Sequence, residues 1–417
     1  MDRLSGAVKN YDWGSPNAIP EFLNVPADGK PFGELWFGGH AGGPTQLLAD
    51  DGSALTTSPT TLDQLVASDP VGVMGADIVA RFGDQLPYLF KVIAPNQPLS
   101  LQVHPDIERA RVRFDDEDAA GIAIDAPNRN YKDRNHKPEM VLALTRYEAV
   151  SGFRTPRRAI EVVDGLKSPL ACKVAEFLHA NPTRFGIKKA FSWLLSPQTR
   201  PTAEQVEQLV DEVSARAAAG ASPSPRLDAY IMAMQAAFPG DPGVAAALLL
   251  NPVTLNPGEA LFVPAGAVHA YISGLAVEIM SASDNVLRAG LTHKHVDAPE
   301  MLACVDYVAA PPMRPAPECL SEHCRAYNVP VEDFELVVTT VSEADGSVKV
   351  SGRGPRTLLN VDGELTVNAG GKSLRNLVYM DNFTESQPGV RLALTTFRID
   401  PMGFPAGFSL AGSDTSD

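Results

Sequence analysis

The chain changes texture twice along its length, and that limits the folds open to it. From Met1 to about Gly152, short apolar runs alternate with Gly and Pro, as strands and turns do; residues 86–93 and 138–144 are two such runs. From about Pro156 to Leu250 the pattern is helical. Thr202 and Gln205 are spaced as a capping box, and Val206, Leu209, Val210 and Val213 then mark one face of an amphipathic helix. Residues 187–195 and 226–238 read the same way, with a small-residue loop at 217–225. Strand texture returns at Val253 and persists. Residues 358–367 carry an Asp-Gly turn between apolar runs, a hairpin cue. The acidic stretch 115–133 is expected to be a surface excursion, and the Ser/Asp-rich tail from Gly412 to fray. The simplest assembly is mainly β: one β unit interrupted by a helical insertion, followed by a second β unit.

Composition narrows the partners. With 417 residues, 44% of them hydrophobic and 20% charged, the chain can build two or three ordinary globular cores. A net charge of -15 argues against nucleic acid or an anionic membrane as a standing partner. The same charge repels a phosphorylated metabolite at long range, so such a substrate would need a local cluster of Lys and Arg. No stretch approaches the ~20 apolar residues of a membrane span, and residues 1–10 lack a signal-peptide core, so a cytoplasmic protein is expected. Cys172, Cys304, Cys319 and Cys324 form no CxxC pair and are read as reduced thiols.

Three polar segments interrupt the strand pattern. In residues 100–106, Ser100, Gln102 and His104 are two apart and share a strand face, while Leu101 and Val103 point into a core. A hydrogen-bonded polar pair accounts for Gln102 and His104 on their own. In residues 135–144, Lys137 and Glu139 share a face at the head of an apolar run. A carboxylate there needs compensation, from an ion pair or from a metal. The third segment runs from Gly258 through Pro264 and Gly266 to His269. Its spacing, G-x5-P-x-G-x2-H, resembles the second motif of the cupin superfamily, in which Pro and Gly turn one strand into the next and present a His inside a small barrel. A cupin's first motif supplies a His-x-His-like pair and then a Glu, and Gln102, His104 and Glu139 are a plausible variant. The implied set of one carboxylate, two imidazoles and one amide oxygen suits zinc, although ligand type alone leaves other divalent ions open. His40, His179, His293 and His323 have no comparable context, whereas His136 and His295 flank the charged motifs.

Taken together, the segments identify the chain as a member of the type I mannose-6-phosphate isomerase (phosphomannose isomerase) family. They are 11–14, 32–36, 87–93, 99–106, 135–139, 263–271 and 278–292, in the family's order. The resemblance implies a cupin-type β-barrel (jelly-roll) catalytic domain in two parts, 1–155 and 251–310. It places a helical insertion domain at 156–250 and a second, cupin-like β domain at 311–417. It implies one zinc ion per chain on Gln102, His104, Glu139 and His269 and an essential Arg288. Active-site roles fall to Lys137, Glu278, Tyr271, Asp284, Lys91, Ser100, Trp13 and Lys294. The implied partner is a small sugar phosphate, and family analogy favours a monomer. Two departures stand out. Trp36 is followed by Phe-Gly-Gly-His-Ala, where the family usually has Ala before the His and Pro after it. In addition, no histidine follows His323, so a second barrel could not repeat the metal site.

The implied reaction, mannose 6-phosphate to fructose 6-phosphate, moves a proton between C1 and C2 through an enediol-like intermediate. It needs a base and positive charge where oxyanion character develops. Lys137, Glu278 and Asp284 are candidate acid/base groups, and the sequence does not choose between Lys137 and Glu278. Lys91, Lys294 and Arg288 form the local positive cluster that the acidic chain requires. Two other classes compete: a non-catalytic sugar-phosphate-binding regulator, which predicts loss of a ligand or of Arg288, and a cupin oxygenase, which predicts a His-rich set. Neither pattern is present.

Overall fold

Caps, prolines and alternation set the elements in this computed structural model, which describes residues 2–49, 51–350, 354–369, 372–377, 392–396 and 408–412. The expected frayed tail lies, beyond Gly412, outside the described residues. Among the described residues, no helix is long and apolar enough to cross a membrane. The chain is sheet-rich and divides into two units. One comprises Met1–Ala94, Val277–Ala282 and Pro315–Asp417, and the other Pro95–Ala276 and Ser283–Arg314.

The second unit holds the helical stretch: Pro156–Val163, Pro169–Ala180, Arg184–Leu195, Ala203–Ala218, Pro225–Ala237 and Pro242–Ala246. Thr155, Ser168 and Asp241 each accept a backbone N–H of the helix they open, and each is followed by Pro at the first helical position. The Thr202–Gln205 capping box forms on both sides. Arg216 grips the fully buried Asp228 through two hydrogen bonds of 2.8 and 2.6 Å, tying two helices together.

Against these helices lies a five-stranded sheet in the order Leu287–Gly290, Leu101–Val103, His269–Ser273, Tyr147–Phe153, Leu250–Leu255. Its alternation decides what each face does. Leu101, Val103, Val150, Ala270, Ile272, Leu287 and Ala289 join Phe191, Leu194 and Ile231 of the helices in one buried cluster. The intervening residues, Gln102, Ser151, His269, Tyr271 and Arg288, are left for the opposite face. The antiparallel strands Glu139–Ala143 and Ala260–Val263 belong to the same unit.

In the first unit, Ala276–Ser281, Tyr88–Ile93, Glu34–Phe37 and Ala7–Lys9 lie side by side in that order. Two further antiparallel sheets follow. Apolar residues of both, among them Ala326 and Val337 from one and Val348, Leu365 and Val367 from the other, share a small core.

One local expectation gains detail and another changes. Much of the acidic excursion is ordered: Ile107–Ala119 is a helix capped by Asp106, and Arg129, buried, pairs with Glu117 and Asp118. The Asp-Gly segment does separate two strands, Leu358–Asn360 and Glu364–Ala369. They pair with Leu392–Thr396 and with Lys372–Leu377 and Phe408–Gly412 instead of with each other.

Candidate metal centre

Strand register assembles the site. His269 and Arg288 both stand opposite Gln102 on neighbouring strands, so the three form a row across one face. Ser151 extends the row from the other side of His269. Period two adds Tyr271, two residues beyond His269, together with half-buried Ser100 and buried His104 on either side of Gln102. The turn before His269 depends on Gly266 at φ +83°, where a Cβ would meet the Asp306 Cβ at 3.1 Å. The Gly266 N–H donates to the His104 carbonyl at 2.8 Å, joining the two histidine-bearing segments.

Glu139, at the head of its strand, completes a buried trio with His104 and His269, whose ligand atoms all lie within 4.8 Å of one another. His269 Nε2 is 2.8 Å from Glu139 Oε1, and His104 Nε2 is 3.3 Å from Oε2. Both distances are those of partners, yet neither Nε2 has hydrogen-bond geometry to the carboxylate. The other ring nitrogens explain this. His104 Nδ1 lies 2.7 Å from the Asn285 carbonyl and His269 Nδ1 3.0 Å from the Ala267 carbonyl. A carbonyl only accepts, so each Nδ1 carries the proton and each Nε2 presents a lone pair. Three acceptors thus converge with no donor among themselves. The Tyr271 hydroxyl donates to Glu139 Oε1 at 2.8 Å, and Lys137 Nζ stands 4.0 Å from Oε2.

Electrostatics agree with the geometry. Burial lowers the His104 imidazole to about 4, which keeps it neutral. A desolvated carboxylate facing two lone pairs stays an anion only beside a cation, and two imidazole nitrogens with a carboxylate oxygen are a donor set zinc accepts. Gln102 lies in the row beside His269, where its amide oxygen could be a fourth ligand.

The remaining expected residues fall as follows. Asp284 is half-buried, and its N–H donates to Asp133 Oδ2 at 2.8 Å, while Lys294 is exposed; both are in this unit. Lys91, Glu278 and Trp13 belong to the first unit. There Lys91 is buried 3.6 Å from both Glu34 and Glu278, with its ammonium 4.6 Å from the Trp36 ring centroid. Trp13 stacks on Tyr11 with centroids 5.2 Å apart. Sequence reasoning passed over Glu34, Trp36 and Asn285 as functional residues. All three lie inside matched segments, 32–36 and 278–292, so position in a motif was the available signal.

Fold and site define a sheet-rich protein with a buried centre of metal-ligand type. Residues 1–156 match the phosphomannose isomerase type I catalytic domain. The mannose-6-phosphate isomerase of Escherichia coli (strain K12) is 35% identical over 381 residues, 90% of this chain and 92% of that protein. The Homo sapiens mannose-6-phosphate isomerase is 32% identical over 375 residues, 83% of this chain and 82% of its own. A zinc-bound crystal structure of mannose 6-phosphate isomerase superposes with a TM-score of 0.78 at 29% identity, covering 99% of each chain. A phosphomannose isomerase variant from Salmonella typhimurium gives 0.79 at the same identity and coverage. The chain belongs to the type I phosphomannose isomerase family.

Proposed function

We propose that this enzyme interconverts mannose 6-phosphate and fructose 6-phosphate, using one zinc ion per monomeric chain held by Gln102, His104, Glu139 and His269. The observation that carries this is the convergence of two unpartnered Nε2 atoms and a carboxylate in a buried site. The zinc-bound relative supports the choice of metal. In this reading residues 1–155 and 251–310 make a cupin-type barrel, 156–250 the helical insertion, and 311–417 a second cupin-like domain that serves structure.

The reaction moves one proton between C1 and C2. When bound, zinc supplies Lewis-acid polarisation of the sugar oxygens where negative charge develops. Lys137, 5% exposed and on the Glu139 segment, is placed to hold or deliver a proton beside that charge. Glu278 is the other candidate base, and its pairing with Lys91 orients it. Arg288, always charged and in the row with Gln102, clamps substrate oxygens in a fork that Lys cannot reproduce. Ser100, Tyr271, Asp284, Trp13, Lys91 and Lys294 complete the substrate contacts in this scheme.

A coupled assay for fructose 6-phosphate, run before and after chelation and again after zinc is returned, tests the proposal. Loss and recovery of turnover with one zinc per chain is expected. Full activity after thorough metal removal would overturn it. Lys137→Met and Glu278→Gln then separate the two bases: the variant that still exchanges solvent hydrogen into C2 at the native rate has not lost the base.

A further inference from the structure

Asn285 is fully buried, and its polar atoms each face a partner of the right kind. Its Oδ1 accepts the N–H groups of Lys132 at 2.7 Å and Asp133 at 3.2 Å. Its Nδ2 donates to the carbonyls of Asp133 and Asn135, both at 2.9 Å, and to Asp133 Oδ1 at 3.1 Å. Two backbone N–H groups on one side and two carbonyls on the other admit a single orientation of the amide. The Asn285 N–H is held in turn by Ser283 Oγ at 3.2 Å. Finally, the Asn285 carbonyl faces His104 Nδ1 at 2.7 Å and selects the tautomer that leaves Nε2 free.

One residue therefore touches two parts of the site at once. Its side chain fixes the loop at 132–135, immediately before Lys137 and Glu139. Its main chain fixes the ring of His104, and the strand carrying Arg288 starts two residues later. We propose that Asn285 is a positioning residue for the metal centre: its amide knots the loop that leads to Lys137 and Glu139 to the carbonyl that orients His104. Outer partners of this kind set ligand orientation and basicity, and their loss commonly costs about 10–100-fold in metal affinity or activity.

This inference rests on the zinc reading above, and the experiment separates the two. Zinc affinity is measured by chelator competition on the wild-type chain and on Asn285→Asp, Asn285→Ser and Asp133→Asn. Thermal melting confirms that each variant is folded at the temperature used. Asn285→Asp keeps the shape but sets an acceptor against the Asp133 and Asn135 carbonyls. Asp133→Asn attacks the knot from its other end, where the chain is half-exposed. The expected result is zinc affinity about 10–100-fold weaker in the folded Asn285 variants, with turnover partly restored by excess zinc. A merely structural Asn285 would lower the melting temperature and leave zinc affinity unchanged, and that outcome overturns the inference. A wild-type chain that binds no zinc overturns the zinc reading itself.

Discussion

Each unit of this protein buries carboxylate at a polar centre, and the two solve the same problem in opposite ways. In the first unit Glu34 and Glu278 flank the Lys91 ammonium at 3.6 Å each, and Trp36 adds an indole N–H to Glu34 at 2.6 Å and a ring face to Lys91. The compensating cation is covalently part of the chain. In the second unit Glu139 faces two imidazole lone pairs, and the Tyr271 hydroxyl donates to its carboxylate. There the chain's own ammonium, Lys137, stands off at 4.0 Å from Oε2, and the two lone pairs leave a place for a cation from outside. A desolvated anion is costly in either place, so the first arrangement builds a permanent support and the second an affinity.

The comparison breaks most readily at Glu139. Glu139→Gln removes the one anionic ligand, so zinc is expected to fall well below one per chain. A metal Lewis acid contributes several kcal/mol, so kcat should drop about 10³-fold or more. Metal analysis beside the coupled assay checks both. Retained zinc with lost turnover would mean that Glu139 acts in the chemistry without holding the ion. The reciprocal change, Lys91→Met, removes a charge that two buried carboxylates share. Stability should fall by about 3–5 kcal/mol, read by denaturant unfolding, while zinc stoichiometry stays at one. If zinc is lost as well, the two centres are energetically coupled and the contrast drawn above is wrong.

How much of this was legible beforehand depends on how local each signal is. Alternation put Gln102 and His104 on one face and Lys137 with Glu139 on another, because period two is a property of four or five residues. The Pro264–Gly266 spacing marked His269 for the same reason. Register is different: nothing near Gln102 states that His269 and Arg288 will stand opposite it, since pairing across more than a hundred residues is decided by the whole sheet. The helix Ile107–Ala119 escaped because it buries only Ala110, so its charges mask any apolar period. The Asp362-Gly363 turn cue was sound locally, but partners elsewhere in the chain outcompeted the hairpin. Asn285 lies in the matched segment 278–292, but no local pattern states that its amide satisfies the backbone of a loop distant in sequence.

Gly266→Ala sharpens the comparison at a smaller scale. Left-handed backbone costs a non-glycine residue about 1–2 kcal/mol, and the new methyl group would press on Asp306 at 3.1 Å. Because Gly266 also holds the His104 carbonyl, zinc affinity should weaken in step with stability. The same loss of stability with unchanged zinc affinity would show that the turn shapes the fold without tuning the ligands.

The smallest effect is expected at Glu34, and it tests whether Lys91 is shared. Glu34→Gln keeps an acceptor for the Trp36 indole and removes only the charge. Lys91 retains Glu278 at 3.6 Å, so the ammonium is not orphaned. What is lost is the charge-assisted part of one contact, about 1 kcal/mol, well below the cost of deleting the cation itself. Unfolding measurements give the stability, and near-ultraviolet dichroism reports whether the Trp36 ring keeps its environment. A penalty as large as that of Lys91→Met would mean that Glu34 alone carries the pairing and that Glu278 has other business.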